Sequence, residues 1–395
     1  MKYDFDTIID RRNTNCVKYD FMEEHDRPKD VIPLWVADMD FQTAPAIIER
    51  LKRIVEHGIY GYSGVKADYF KAVERWFSSR FAWKVQEDWL VRTPGVVYAI
   101  ATSIQALTKE KDAVLIQQPV YHPFRSTVLV NHRRLVNSPL VLRDGRYEID
   151  FEDFENKIRE ENVKLFILCS PHNPVGRVWT REELTKIGEI CLRHQVIVVS
   201  DEIHSDFIYP GHSHTVFASI DEAFAQNSIT CTAPSKTFNL AGLQVSNIFI
   251  PNEELRKRFT DEMKKAGIGG LNVMALAACQ AAYEEGEEWL EQLKSCLYEN
   301  LQFIRRFLKE KLPQIRLIEP EGSYLIWLDF RGLGLNKEDL EDFIVNKAGL
   351  WLNAGDMFGR EGEGFQRMNI ACPRAILERT FHQLEEAVNS LSRES

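Results

Sequence analysis

The chain is 395 residues long, too much for one ordinary core and well suited to two lobes that share an interface. With 44% hydrophobic and 27% charged residues, its composition excludes disorder and fibrous architecture. A formal charge of -10 repels nucleic acid and anionic membrane, so neither is expected as a partner and small molecules remain.

In chain order, the start Met1-Lys2-Tyr3-Asp4 lacks the apolar core of a signal peptide, and no stretch approaches the length of a membrane span. The 7 cysteines are an odd number without a Cys-x-x-Cys pair and sit mostly in apolar runs. That pattern predicts reduced thiols, no disulfide and no metal site, in a cytoplasmic protein. The basic clusters Arg11-Arg12 and Arg133-Arg134 and the residues 256–258 are isolated and read as solvated surface.

Residues 1–44 are expected to form an N-terminal segment that joins the smaller of two domains. Over 45–283, short β-branched runs alternate with amphipathic segments. Residues 113–117, 165–170, 196–200, 228–232 and 247–250 read as buried strands. Residues 181–194 carry helical spacing, so the order is strand, helix, strand, helix, which predicts an α/β domain with a largely parallel sheet covered on both faces. Over 284–395 the rhythm changes. A long helix at 287–311 places Trp289, Leu293, Leu297, Leu301, Ile304 and Leu308 on one side. Strands at 324–330, 350–353 and 366–370 and a last helix at 375–391 complete a smaller α+β domain. In open parallel sheets the strand carboxyl ends face the ligand crevice, and the residues singled out next fall at such ends.

Lys236 lies a few residues past a buried strand, among small and hydroxyl residues. A lysine so placed can be desolvated, which lowers its pKa until the neutral amine attacks an aldehyde. Taken alone, an exposed loop lysine is the commoner reading, because buried lysines are rare. At 198–204 a strand delivers Asp201 at its carboxyl end, where a carboxylate can keep a pyridine nitrogen protonated. At 169–176 two prolines and a glycine break another strand end and fix a loop that presents Asn173. Either motif alone could be a turn or a helix cap; their order and spacing before the lysine are hard to obtain by chance.

Together these motifs resemble the fold-type I pyridoxal phosphate enzymes and, within them, the MalY/PatB-like cystathionine β-lyases. The resemblance covers nearly the whole chain. It includes Trp35-Val36-Ala37-Asp38-Met39-Asp40-Phe41, Tyr60-Gly61-Tyr62-Ser63, the stretch from Ser170 to Trp179, Asp201-Glu202-Ile203-His204 and Ser235-Lys236-Thr237-Phe238-Asn239. Near the end it includes Arg367-Met368-Asn369 and Cys372-Pro373-Arg374. It implies an aminotransferase-like fold, a large domain with a mostly parallel seven-stranded sheet flanked by helices plus a smaller α+β domain.

The resemblance also implies roles. Lys236 would bind the aldehyde of pyridoxal phosphate (PLP), Asp201 would pair with the ring nitrogen, Asn173 would hydrogen-bond the phenolic oxygen and Tyr121 would stack on the ring. Gly95, Val96 and Val97 open a segment whose free backbone donors would cradle the phosphate, with Ser235 adding a hydroxyl and His204 close by. Arg367 would clamp the substrate carboxylate, beside Ala37. Tyr62 would reach the neighbouring subunit's site, which requires a homodimer. By pattern alone Tyr121 is a turn aromatic, Gly95 opens a simple strand-to-helix turn, and Arg367 is a strand residue whose side chain snorkels to the surface.

Two positions depart from many aminotransferases. Gln244 stands where they carry a phosphate-binding arginine, and His204 where they often have tyrosine. The expected activity is β-elimination from a small sulfur amino acid such as cystathionine, giving a thiol, pyruvate and ammonia. The alternatives are an aminotransferase and a lyase with a second role in binding a transcriptional regulator.

Overall fold

The structure, a computed structural model, describes residues 2–394. Seven strands form the larger sheet: β1 (Leu90–Thr93), β2 (Ala113–Ile116), β3 (Arg134–Asn137), β4 (Val163–Cys169), β5 (Ile197–Asp201), β6 (Ser228–Thr232) and β7 (Ser246–Phe249). Their spatial order is β1-β7-β6-β5-β4-β2-β3. β7 runs antiparallel to both its neighbours and every other pair is parallel.

The apolar run of β4 shows why this sheet needs helices on both faces. Successive side chains of a strand point to opposite sides. Phe166 and Leu168 therefore pack with Leu184, Ile187 and Ile190 on one face, while Leu165 and Ile167 pack with Ile100 and Ile104 on the other. The first of these helices, Arg181–Arg193, starts at a capping box in which the Thr180 hydroxyl accepts from the Glu183 amide and the Glu183 carboxylate accepts from the Thr180 amide. The second, Val96–Leu107, has no side-chain cap at its start, and that free end faces the cavity described below.

The smaller sheet holds β8 (Arg316–Ile318), β9 (Leu325–Asp329), β10 (Asn353–Ala354) and β11 (Phe365–Asn369), all antiparallel in the order β8-β9-β11-β10. The helices Glu287–Lys311 and Arg374–Glu394 lie beside it. The six apolar residues expected on one side of the first helix are all buried.

The structure corrects the expected elements in several places. The run 350–353 is not one strand. Leu350–Trp351 pairs in parallel with Ile32–Pro33 from the other end of the chain, while Asn353–Ala354 pairs with β11. One apolar run gives one strand signal, and a partner more than three hundred residues away leaves no trace in it. The edge strand β3, with an exposed Arg134, and the short β8 were not anticipated, because neither carries a buried apolar run. Arg11 is not solvated either: its guanidinium bonds the Asp38 and Asp40 carboxylates at 2.6 and 2.7 Å, whereas Arg12 beside it is exposed. All seven cysteines are unpaired.

Candidate active site

The parallel register brings the carboxyl ends of three strands together, with Cys169 opposite Asp201 and Asp201 opposite Cys231. Lys236 follows β6 on a single turn, Pro234–Thr237. These ends form the floor of a cleft with about 770 Å³ of empty space. Asp201, Asn173, Tyr121, His204, Ser235 and Lys236 all line it. Ala37, from an irregular strap over residues 35–41, closes it from above.

The Lys236 amine donates to the Ala37 carbonyl at 2.8 Å. Burial and then the nearby Arg367 charge pull its pKa down from 10.5 to about 8, against the opposing pull of Asp38 and Asp201. A substantial neutral fraction is therefore present near neutral pH, as a nucleophile or general base requires. Burial pushes Asp201 up to about 7, although the Ile203 amide bonds its carboxylate at 3.2 Å. Among the described residues no cation pairs directly with it. It is a desolvated acid whose charged form would be restored by a protonated ring nitrogen.

Arg367 is buried, which overturns the snorkelling reading. Its guanidinium donates to the Asn173 side-chain oxygen at 3.0 Å, to the Trp35 carbonyl at 2.9 Å and to the Asn353 side-chain oxygen at 2.6 Å. Every one of those acceptors is neutral. A buried cation without a carboxylate partner is costly, and among the described residues its Nε has no hydrogen-bond partner; an incoming carboxylate would supply the missing charge. Tyr121 precedes the helix His122–Val130, and its amide donates to the Asn173 carbonyl at 2.9 Å, which ties the aromatic ring to the Asn173 loop. Burial and then the charges of Lys236 and Arg367 hold the His204 imidazole well below its ordinary pKa, so it is neutral. Its Nδ1 lies 3.2 Å from the Ser323 hydroxyl.

At the other end of the cleft are Gly95, Val96, Val97, Ser235 and Gln244. Gly95 has φ +121°, and a Cβ there would meet nothing within 4 Å because it would project into open space. The uncapped start of Val96–Leu107 therefore offers free backbone donors to an anion. Among the described residues Lys236 is the one lysine or arginine that lines the cavity.

Arg367 does not itself line the cleft and reaches it through its bond to Asn173, which does, whereas Tyr62 is the one expected site residue that the structure brings neither to the cleft nor to a residue lining it. It is fully exposed on the irregular stretch 58–66. Three residues whose roles were not anticipated hold the strap, and a fourth holds Arg367. Asn239 donates to the Met39 and Phe41 carbonyls and accepts from the Met39 amide. Asn369 donates to the Val36 and Asp38 carbonyls at 2.7 and 2.5 Å. The Tyr324 hydroxyl shares the Ala37 carbonyl with Lys236, and Asn353 steadies Arg367. Asn239 and Asn369 stand inside the motifs of Lys236 and Arg367, but spacing alone does not say that an asparagine reaches a distant backbone.

Fold and cleft together define the class: an aminotransferase-like fold of PLP fold type I, with its lysine in a pocket at the sheet's carboxyl edge. The family model for "Aminotransferase class I and II" matches residues 29–384. The chain belongs to this family and, within it, to the group of PatB and MalY. It is 44% identical over 385 residues to cystathionine beta-lyase PatB of Bacillus subtilis, covering 98% of this chain and 100% of the relative. To protein MalY of Escherichia coli it is 32% identical, covering 98% and 100%. Cystalysin of Treponema denticola, solved with pyridoxal 5'-phosphate, superposes with a TM-score of 0.96 at 39% identity, covering 99% and 100%.

Proposed function

We propose that the protein is a PLP-dependent carbon-sulfur β-lyase. It eliminates a thiol from L-cystathionine and related cysteine S-conjugates and leaves pyruvate and ammonia, homocysteine being the thiol from cystathionine. The observation that carries the reading is the Lys236 amine on the Ala37 carbonyl, between Arg367 and Asp201, in a chain 44% identical to a cystathionine β-lyase.

The residues present fit the cofactor. Lys236 would take its aldehyde, Asp201 its ring nitrogen, Asn173 its phenolic oxygen and Tyr121 one ring face. The phosphate would rest on Gly95, Val96, Val97 and Ser235, whose open space and free donors suit an anion. When bound, the cofactor supplies an electron sink for the bond that breaks at the substrate's α-carbon. Arg367 binds the substrate carboxylate beside Ala37 and orients the α-proton toward Lys236. The lysine amine, desolvated and held on the Ala37 carbonyl, is the base that would remove that proton. Neutral His204 adds no competing charge, and the strap keeps water from the reacting carbon.

The enzyme acts as a homodimer in this reading, with Tyr62 reaching into the second subunit's cleft. Its support is the exposure of Tyr62 together with Val55, Ile59 and Tyr60 on one stretch. We divide the chain into a large cofactor-binding domain, 45–283, and a small domain, 284–395, which residues 1–44 join through the pairing of Ile32–Pro33 with Leu350–Trp351. The unpaired cysteines suit a reducing cytoplasm, and no helix among the described residues is long and apolar enough to cross a membrane.

The test is incubation of purified holoenzyme with cystathionine and no keto acid. Equal yields of pyruvate and thiol are expected. Conversion of the cofactor to its amine form, with turnover only on adding a keto acid, would make the protein an aminotransferase instead.

A further inference from the structure

The residues 11–20 form a built clip outside the cleft. The Asp20 carboxylate accepts the amides of Asn13, Thr14 and Cys16 at 2.8, 2.9 and 3.0 Å, and the Thr14 hydroxyl donates to the Arg11 carbonyl at 2.5 Å. Asn13 and Asn15 both take left-handed backbone, with φ +62° and +59°, which asparagine tolerates better than most residues. This folded loop projects two cations onto the strap. Arg11 meets Asp38 through both its terminal nitrogens, at 3.1 and 2.6 Å, and also meets Asp40 and the Met39 carbonyl. Lys18 is completely buried, with its amine 2.8 Å from Asp40 and 3.8 Å from Asp38. The Tyr19 hydroxyl donates to Asp40 at 3.0 Å. Two cations face two carboxylates, so the cluster is neutral, as burial demands.

The two aspartates stand one and three residues beyond Ala37, whose carbonyl holds the Lys236 amine. We propose that the clip 11–20 is a positioning element of the reaction: by gripping Asp38 and Asp40 it fixes the strap, so that the Ala37 carbonyl stays on the catalytic amine. This inference rests on the lysine-centred reading above. The strap also touches Arg367 through the Trp35 carbonyl, but Arg367 keeps Asn173 and Asn353 as independent acceptors. Among the described residues the Lys236 amine has only the one hydrogen bond, to Ala37. A loosened strap should therefore disturb the amine more than the carboxylate clamp, which gives an unequal effect on kcat and KM.

The experiment compares holoenzyme carrying Arg11→Gln, Arg11→Lys or Lys18→Met with the unmodified holoenzyme, using cystathionine. Hydrogen exchange of the amides over 35–41 is followed in parallel on cofactor-free protein. Arg11→Gln is expected to lower kcat about tenfold with KM within about twofold, and to speed exchange in the strap while the sheet amides keep their protection. Arg11→Lys should restore much of kcat, because it restores the charge beside Asp38. Lys18→Met empties a buried pair, and if it fails to fold the half-buried Arg11 variants carry the test alone. Unchanged kcat and unchanged strap exchange in Arg11→Gln would overturn the proposal, as would kcat and KM shifting together with no rescue by lysine. Failure of the underlying reading would show differently, as an unmodified protein that takes up no PLP or releases no pyruvate.

Discussion

The floor and the roof of the cleft are made by different physics. The floor is the carboxyl edge of a parallel sheet, where Asp201 ends one strand and Asn173 follows another, and the strands' backbone bonds and double-sided packing fix them. The roof, residues 35–41, belongs to no sheet and is held carbonyl by carbonyl through side chains of Asn239, Asn369, Tyr324, Lys236 and Arg367. A sheet resists deformation as a unit. A strap held by separate side-chain bonds gives way one bond at a time, and so a substitution under it should alter catalysis before it alters the fold.

The largest expected effect lies where floor and roof meet. Lys236→Ala should remove the visible absorbance of the holoenzyme and lower pyruvate release by at least about 10⁴-fold, since nucleophile and base vanish together. Wild-type turnover in that variant would break the assignment.

Asp201 comes next and tests the floor alone. Asp201→Asn should lower elimination by about 10² to 10³-fold, the scale of one preorganised electrostatic contact. It also carries a pH signature in cofactor-free protein. The folded state raises this carboxyl from its ordinary 3.8 to about 7, so between those values the folded state binds more protons than the unfolded one. Stability then falls as pH rises through that window, by up to about 4 kcal/mol. Lys236, pulled from 10.5 down to about 8, acts in the opposite sense and at higher pH, adding stability as pH rises through its own window. Melting temperatures at pH 5 and pH 8 should differ in the unmodified protein, and the difference should shrink in Asp201→Asn; an unchanged slope would show that this carboxyl is not the one that titrates.

Asn369→Ala turns the same comparison on the roof. It removes the two bonds to the Val36 and Asp38 carbonyls, and the one its oxygen accepts from the Ala371 amide below the strap, and leaves β11 paired. We expect kcat to fall about thirtyfold, in line with two strap bonds at roughly 1 kcal/mol each, while the affinity for PLP stays within about threefold. Equal losses in affinity and rate would mean that floor and roof are one mechanical unit.

The same division explains what could be read in the sequence. The floor was legible because each of its residues follows an apolar run that ends in a break: Asp201 as the last residue of β5, Asn173 after β4 with its prolines, Lys236 after β6. Periodicity locates the strands, and parallel topology then places their ends together. The roof was quoted as a motif, yet its anchors were not legible. Asn239 and Asn369 bond carbonyls roughly two hundred and three hundred and thirty residues away, and Arg11 looked like surface because its acidic partners stand some twenty-seven residues further on. The splitting of 350–353 between two sheets has the same origin, since Trp351 stacks on Trp35 at 4.3 Å from more than three hundred residues away.

The smallest expected effect concerns the phosphate end of the floor. Gln244 lines the cavity where, among the described residues, no lysine or arginine other than Lys236 does, and it already takes left-handed backbone with φ +56°. Gln244→Arg exchanges one long side chain for another at similar backbone strain, so the fold should tolerate it. Its guanidinium would add a charge-assisted bond to a phosphate that, on the proposed reading, backbone amides and a hydroxyl would hold. Such a bond is worth roughly 1.5–3 kcal/mol when sheltered, but Gln244 is exposed and solvent screens much of that. The dissociation constant for PLP, measured by equilibrium dialysis, should therefore fall only about threefold to tenfold, with kcat unchanged because the reacting atoms lie at the opposite end beside Lys236. A tighter constant for pyridoxal, which lacks the phosphate, would show that the arginine acts elsewhere and that the helix start at Gly95 is not the anion site.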